Sequence, residues 1–109
     1  MEEILQYFSD FTDAQLKQLQ RLNLSHTKIT DLGLEHLRPL QNVTYLNCFY
    51  CEYVSDGGIA FLKQWENLEY LNLRGTEVTE KVYDDLKGGL PACKIIWDPK
   101  SAMPNRRRS

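Results

Sequence analysis

The sequence predicts an α/β fold: a right-handed solenoid with a parallel sheet along its concave side and helices along its convex side. Three observations predict it. An apolar pattern recurs at intervals of 24 and 25 residues, it opens with period-two alternation, and the segment after it repeats apolar residues every three positions. Such self-similarity is the mark of stacked repeats, each too small to bury its apolar face alone.

The strand segments are LQRLNLSHTKIT from Leu19, VTYLNCFYCEYVS from Val43 and LEYLNLRGTEVT from Leu68. One inward column is Leu22, Leu46, Leu71 and Ile95, at spacings of 24, 25 and 24, and the next is Leu24, Cys48, Leu73 and Trp97. Leu22-Asn23-Leu24 alternates, as a strand does with both leucines on one face. The linking segment TDLGLEHLRPLQNV aligns without gaps to SDGGIAFLKQWENL, matching Asp31 to Asp56, Gly33 to Gly58 and Asn42 to Asn67. Leu34, Leu37 and Leu40 predict a helix or 3₁₀ turn. Thr30, Ser55 and Thr79 are expected as N-caps, with Asp31, Asp56 and Glu80 placing an acid at the positive end of each helix. The third copy, TEKVYDDLKGGLPA, keeps Leu86 but loses the glycine and the asparagine, as a terminal repeat facing water should.

The pattern divides the chain into an N-terminal cap helix with a truncated repeat (1–18), the repeats with a terminal strand (19–98) and a disordered basic tail (99–109). Ile4, Leu5, Phe8 and Phe11 supply the apolar strip of the cap. Pro99 ends the last strand.

These residues resemble the leucine-rich repeat family, most closely its cysteine-containing branch and short threonine-type repeats. The signature L-x-x-L-x-L-x-x-T-x-I/V-T-D-x-G-L reads here as LQRLNLSHTKITDLGL, and LPACKI matches the L-P-x-C-x-I ending of that branch. The likeness spans residues 11–97 and speaks to fold more than to function. It implies a protein-interaction module, as scaffold or assembly factor, alone or as a subunit of a complex. Some mitochondrial assembly factors carry comparable arrays. The cysteine-containing branch is also similar to the substrate-binding part of F-box ubiquitin-ligase receptors, although the 18 residues ahead of Leu19 are fewer than an F-box needs.

Charge and composition exclude several classes. Without Arg106, Arg107 and Arg108 the net charge of −2 becomes −5, and an acidic body does not suit nucleic acid. No apolar run approaches the roughly 18 residues that a membrane span requires. The acidic start MEEILQYFSD is unlike a signal peptide, so a cytoplasmic chain with reduced cysteines is expected, with mitochondrial or nuclear residence also compatible.

Nothing points to catalysis or to a cofactor. Cys48 and Cys51 form a CxxC spacing and raise a thiol-redox reading. Both also fall in repeat columns, Cys48 among the leucines and Cys51 between Thr27 and Thr76, which explains them structurally. Small polar groups in the second column are expected to bond the turn backbone of the adjacent coil. Zinc needs four converging ligands, and Cys93, His26 and His36 fall in separate places. Ser25 and His26 lack an orienting acid, and no phosphate-binding glycine motif occurs.

The register instead nominates a surface. Three columns point out of the concave sheet: Arg21, Tyr45, Tyr70, Lys94; then Asn23, Asn47, Asn72, Ile96; then Ser25, Phe49, Arg74, Asp98. Tyr45, Phe49, Tyr70 and Arg74 are expected to converge on mid-sheet, with Arg21, Asn47 and Asn72 completing a partner-binding surface. Cross-strand stacking of the tyrosines is the purely structural alternative. The asparagine stripe is expected to meet a partner's backbone or water.

Overall fold

The computed structural model describes residues 18–99. The expected cap helix and truncated repeat over 1–18, save Gln18, and all but the first residue of the tail over 99–109 lie outside the described residues. Within them the chain is an α/β repeat. Four strands, β1 (Arg21–Asn23), β2 (Tyr45–Asn47), β3 (Tyr70–Asn72) and β4 (Lys94–Ile96), form one parallel sheet in chain order. Leu22 pairs with Leu46, Leu46 with Leu71 and Leu71 with Ile95, so the columns read from sequence are the register of the sheet.

Between the strands run α1 (Asp31–Glu35), α2 (Asp56–Ile59) with a 3₁₀ segment at Ala60–Gln64, and α3 (Glu80–Gly89). After α1 the chain keeps i→i+3 bonds, from Leu37 N to Leu34 O at 2.9 Å and from Leu40 N to Leu37 O at 2.9 Å. The three-residue leucine spacing therefore puts each leucine on the same side of a tight helix. In α3 only Leu86 is buried, which fits the divergence of that copy.

The core lies between sheet and helices. Leu46, Leu71, Leu73, Leu62, Leu86, Ile29 and Ile59 have no exposed surface, and neither do Cys48 and Cys51. Each buried aliphatic side chain contributes about 1.5–3 kcal/mol by leaving water. Trp65 packs edge-on against Phe61, with ring centroids 5.4 Å apart. At the far end Trp97 stacks on Tyr83 at 4.7 Å and donates its indole N–H to the Val78 carbonyl at 2.9 Å.

A polar column runs beside the strands. Thr27 Oγ1 donates to Leu24 O at 2.8 Å and Thr76 Oγ1 to Leu73 O at 2.6 Å. Both threonines thus bond the backbone of their own repeat, not that of the adjacent one as expected, although Thr27 Oγ1 also lies 3.8 Å from Cys51 Sγ in the next repeat. Cys51 does reach across, donating its thiol to Leu24 O at 2.9 Å.

Thr30, Ser55 and Thr79 all occupy the expected N-cap positions, but only one makes the side-chain capping bond. Thr30 accepts from Gly33 N at 3.3 Å, a true N-cap bond. Ser55 and Thr79 make no such bond to their own helices. They donate instead to the aspartate one repeat earlier: Ser55 through N (2.8 Å) and Oγ to Asp31, Thr79 through N (2.8 Å) and Oγ1 (2.7 Å) to Asp56. Asp31 and Asp56 are thus cross-repeat acceptors as well as first-turn acids. Hydrogen bonds to a charged group are worth about 1.5–3 kcal/mol.

This clamp explains Gly58. A Cβ there would lie 2.9 Å from Asp31 Cα, whereas one on Gly57 would meet Asp31 Oδ2 at an ordinary 3.7 Å. Gly58→Ala should therefore destabilise the fold by about 1–3 kcal/mol, while Gly57→Ala should change it by less than about 1 kcal/mol. Urea melts of the two variants check this contrast, and equal losses would contradict it.

Candidate functional site: the outer face of the sheet

Alternation within each three-residue strand leaves one face to the core and one to the outside. Arg21 and Lys94 are exposed on that outer face, and Tyr45 and Tyr70 are half-buried. Parallel in-register pairing sets the two tyrosines side by side, and their rings stack at 4.6 Å with planes 6° apart. The Arg21 guanidinium lies over the Tyr45 ring, 4.1 Å from its centroid. Arg21, Tyr45 and Tyr70 thus form a continuous ladder of planar groups, held by cation–π and ring–ring contact. The stacking alternative is present, and it leaves the ladder standing on the surface.

The asparagines do a local job. Ser25 N donates to Asn23 Oδ1 at 3.1 Å, Phe49 N to Asn47 Oδ1 at 2.9 Å and Arg74 N to Asn72 Oδ1 at 3.0 Å. Each is an Asx-turn, the side-chain oxygen holding the N–H two residues on as the strand ends. Asn72 Nδ2 also donates to Tyr70 Oη at 3.3 Å. The stripe that sequence left to a partner or to water is therefore engaged, through its oxygens, in closing the strands.

Immediately after each of these turns the backbone enters the left-handed region, at His26 (φ 61°), Tyr50 (φ 56°) and Gly75 (φ 79°). Glycine adopts this conformation freely, whereas a bulky residue costs about 1–2 kcal/mol. Only the third repeat uses glycine. A Cβ on Gly75 would lie 2.8 Å from Tyr50 Cδ1, so Tyr50 rests against its backbone. His26 stacks on Tyr50 at 5.4 Å, and Phe49 meets Tyr50 edge-on at 4.6 Å and His26 at 5.3 Å.

The expected single cluster is thus two groups. Tyr45 and Tyr70 stand on the sheet with Arg21. Phe49 joins His26 and Tyr50 at the turn edge, where those rings half-bury it. Arg74 faces Asp98 across 3.8 Å, an exposed pair of little energetic weight. Sequence reasoning missed the part played by His26, whose signal was its alignment with Tyr50 and Gly75. Beside the turn group, His26, Lys28, Tyr50, Glu52 and Tyr53 line an open cleft of about 260 Å³. At the other end of the strands Gln20, Asn42, Thr44, Glu66 and Glu69 line one of about 390 Å³. Both are open and polar, unlike the mostly apolar concavities that enclose small ligands.

The cysteines differ in environment. Cys48 is fully buried, and its hydrogen bond with Cys51, together with burial, holds its pKa well above the usual thiol value. The same hydrogen bond lowers the pKa of Cys51, which is also buried and donates to the Leu24 carbonyl at 2.9 Å. Burial, with Glu69 nearby, pushes the Cys93 thiol up to about 11. Among the described residues no group of three or more His, Cys, Asp or Glu is placed to hold a metal, and no helix is long and apolar enough to cross a membrane.

Since the thiolate is the reacting species, a raised pKa lowers reactivity at neutral pH and restores it as the pH climbs toward 11. In the native protein Cys93 should react with a disulfide reagent more slowly than a free thiol, and increasingly with pH. Cys48 and Cys51 should react only on unfolding. Stoichiometric labelling of all three in the native state would contradict this.

A family model described as a leucine rich repeat matches residues 16–37, the span that holds β1 and α1. No curated protein matches the chain. Leucine-rich repeat domains generally mediate protein–protein interaction. The strand of the matched segment, β1, recurs in register at β2 and β3, so the chain is similar to the leucine-rich repeat family.

Proposed function

We propose that this chain is a non-enzymatic protein-interaction module, a solenoid that holds a partner on the concave, outer face of its sheet as a scaffold or assembly factor. The observation that carries this reading is the Arg21–Tyr45–Tyr70 ladder on that face. Tyrosine and arginine are the residue types that dominate binding energy at interfaces, because they bring large rigid area with few rotors to freeze. Here the ladder is organised before any partner arrives, which reduces the ordering cost of binding.

The register supports the same reading. Four strands in sequence order make a face without a crossing loop, so a partner meets a regular surface. Buried thiols serving as packing and hydrogen-bonding groups suit a reducing compartment, and we place the chain in the cytoplasm.

The test is affinity purification with wild type and two variants. Tyr45→Ala with Tyr70→Ala removes the ladder, and Phe49→Ala alone probes the turn group. The double variant should weaken partner retention more than tenfold, at about 2 kcal/mol per lost hot-spot residue. Phe49→Ala should cost less. Circular dichroism checks that each variant keeps its fold. Full retention by a folded double variant would refute the outer-face reading.

A further inference from the structure

We infer that the partner segment seated on the outer face is an acidic, extended stretch of protein, recognised by a surface that offers hydrogen-bond donors and few acceptors. The inference rests on the outer-face reading above and adds the chemistry of the occupant.

Three facts carry it. First, the outward strand columns hold three cations, Arg21, Arg74 and Lys94, against one carboxylate, Asp98, already beside Arg74 at 3.8 Å. The chain as a whole carries −2, so this face is opposite in sign to the remainder. The helices hold Asp31 and Glu35, Asp56, and Glu80, Asp84 and Asp85.

Second, the asparagine oxygens of this face are engaged. The Oδ1 atoms of Asn23, Asn47 and Asn72 each accept a turn N–H. The side-chain nitrogens of Asn23 and Asn47 remain as donors, alongside the guanidinium and ammonium groups. A segment rich in carboxylates and backbone carbonyls satisfies such a surface, and a basic one leaves its own donors without partners. Third, the tyrosine ladder between the cations gives the aliphatic parts of an extended chain a flat surface to lie on.

The same geometry sets a register. Glu66 and Glu69 line the cleft at the strand entrances and disfavour an acid there. The partner's carboxylates are therefore placed toward Asn47 and Arg74, with the apolar part over Tyr45 and Tyr70. Single-stranded nucleic acid would also bring charge and stacking bases. Three cations around a ladder whose rings already stack on each other favour the peptide.

The experiment titrates the full chain, isotopically labelled for amide NMR, with three probes: a peptide alternating Glu with Leu, the same peptide with Gln for Glu, and oligothymidylate. Expected is selective binding of the Glu peptide, with shifts at Asn47, Tyr70 and Arg74. Arg74→Glu should weaken it about tenfold, and raised salt should weaken it too. Equal binding of the Gln peptide at the same amides would overturn the acidic preference while leaving the outer-face reading intact. Preferred binding of the oligonucleotide would overturn the peptide assignment. Shifts confined to residues off the outer face, or none with the Glu peptide at saturating concentration, would overturn the inference. The Tyr45/Tyr70 variant's retention of partner then decides the outer-face reading separately.

Discussion

An aspartate at the start of one helix takes two hydrogen bonds from the residue at the start of the next. Asp31 holds Ser55, and Asp56 holds Thr79. The rest of the structure depends on this clamp because the strands are only three residues long. A sheet so narrow ties the repeats together along one side. Unclamped, α1 and α2 could splay while the strands stayed paired. The clamp fixes the opposite side at steps of 24 and 23 residues, as the register fixes the sheet at steps of 24, 25 and 24. With both sides set, the leucines between them have one way to interlock. Gly58 is part of the same device, since a side chain there would push Asp31 out of reach.

Along the strands, the leucine columns and the asparagine column were legible in sequence because period and register follow from backbone geometry alone. Leu22, Leu46 and Leu71 had to share a face once the 24- and 25-residue steps were seen. The three-residue leucine spacing likewise foretold the tight helix after α1. What sequence could not decide was where each polar side chain spends its hydrogen bonds. Thr30 and Ser55 occupy equivalent positions, yet Thr30 caps its own helix and Ser55 turns to the preceding aspartate. Asn47 was read as facing outward, and it does, but its oxygen turns back to Phe49 N because that N–H needs a partner where the strand stops. Such choices are settled by distances of an ångström or less, which a one-dimensional pattern does not contain.

The site was legible to the same depth. Tyr45 and Tyr70 follow from register, and their stacking follows from strand spacing. Phe49 was assigned to the correct face but to the wrong neighbours. Its group with His26 and Tyr50 depends on the left-handed backbone of those two residues, which nothing in a histidine or a tyrosine announces. The clue was Gly75 in the third repeat, at the position aligned with both. A glycine marks a conformation for its aligned neighbours even when they do not share its freedom.

The two sides of the molecule are therefore chemically unlike for one reason. On the helix side, Asp31 and Asp56 accept bonds from the next repeat. On the outer face, asparagines accept bonds from their own turns, so that face keeps its donors. Neither arrangement needs a partner to exist, since each first satisfies the repeat's own backbone. The polarity of the outer face is a by-product of how the strands are closed. A repeat that closed them with aspartate would turn the outer face acidic and reverse its preference. By this logic the identity of the residue two places before Ser25, Phe49 and Arg74 sets both the end of the strand and the sign of what the sheet can hold.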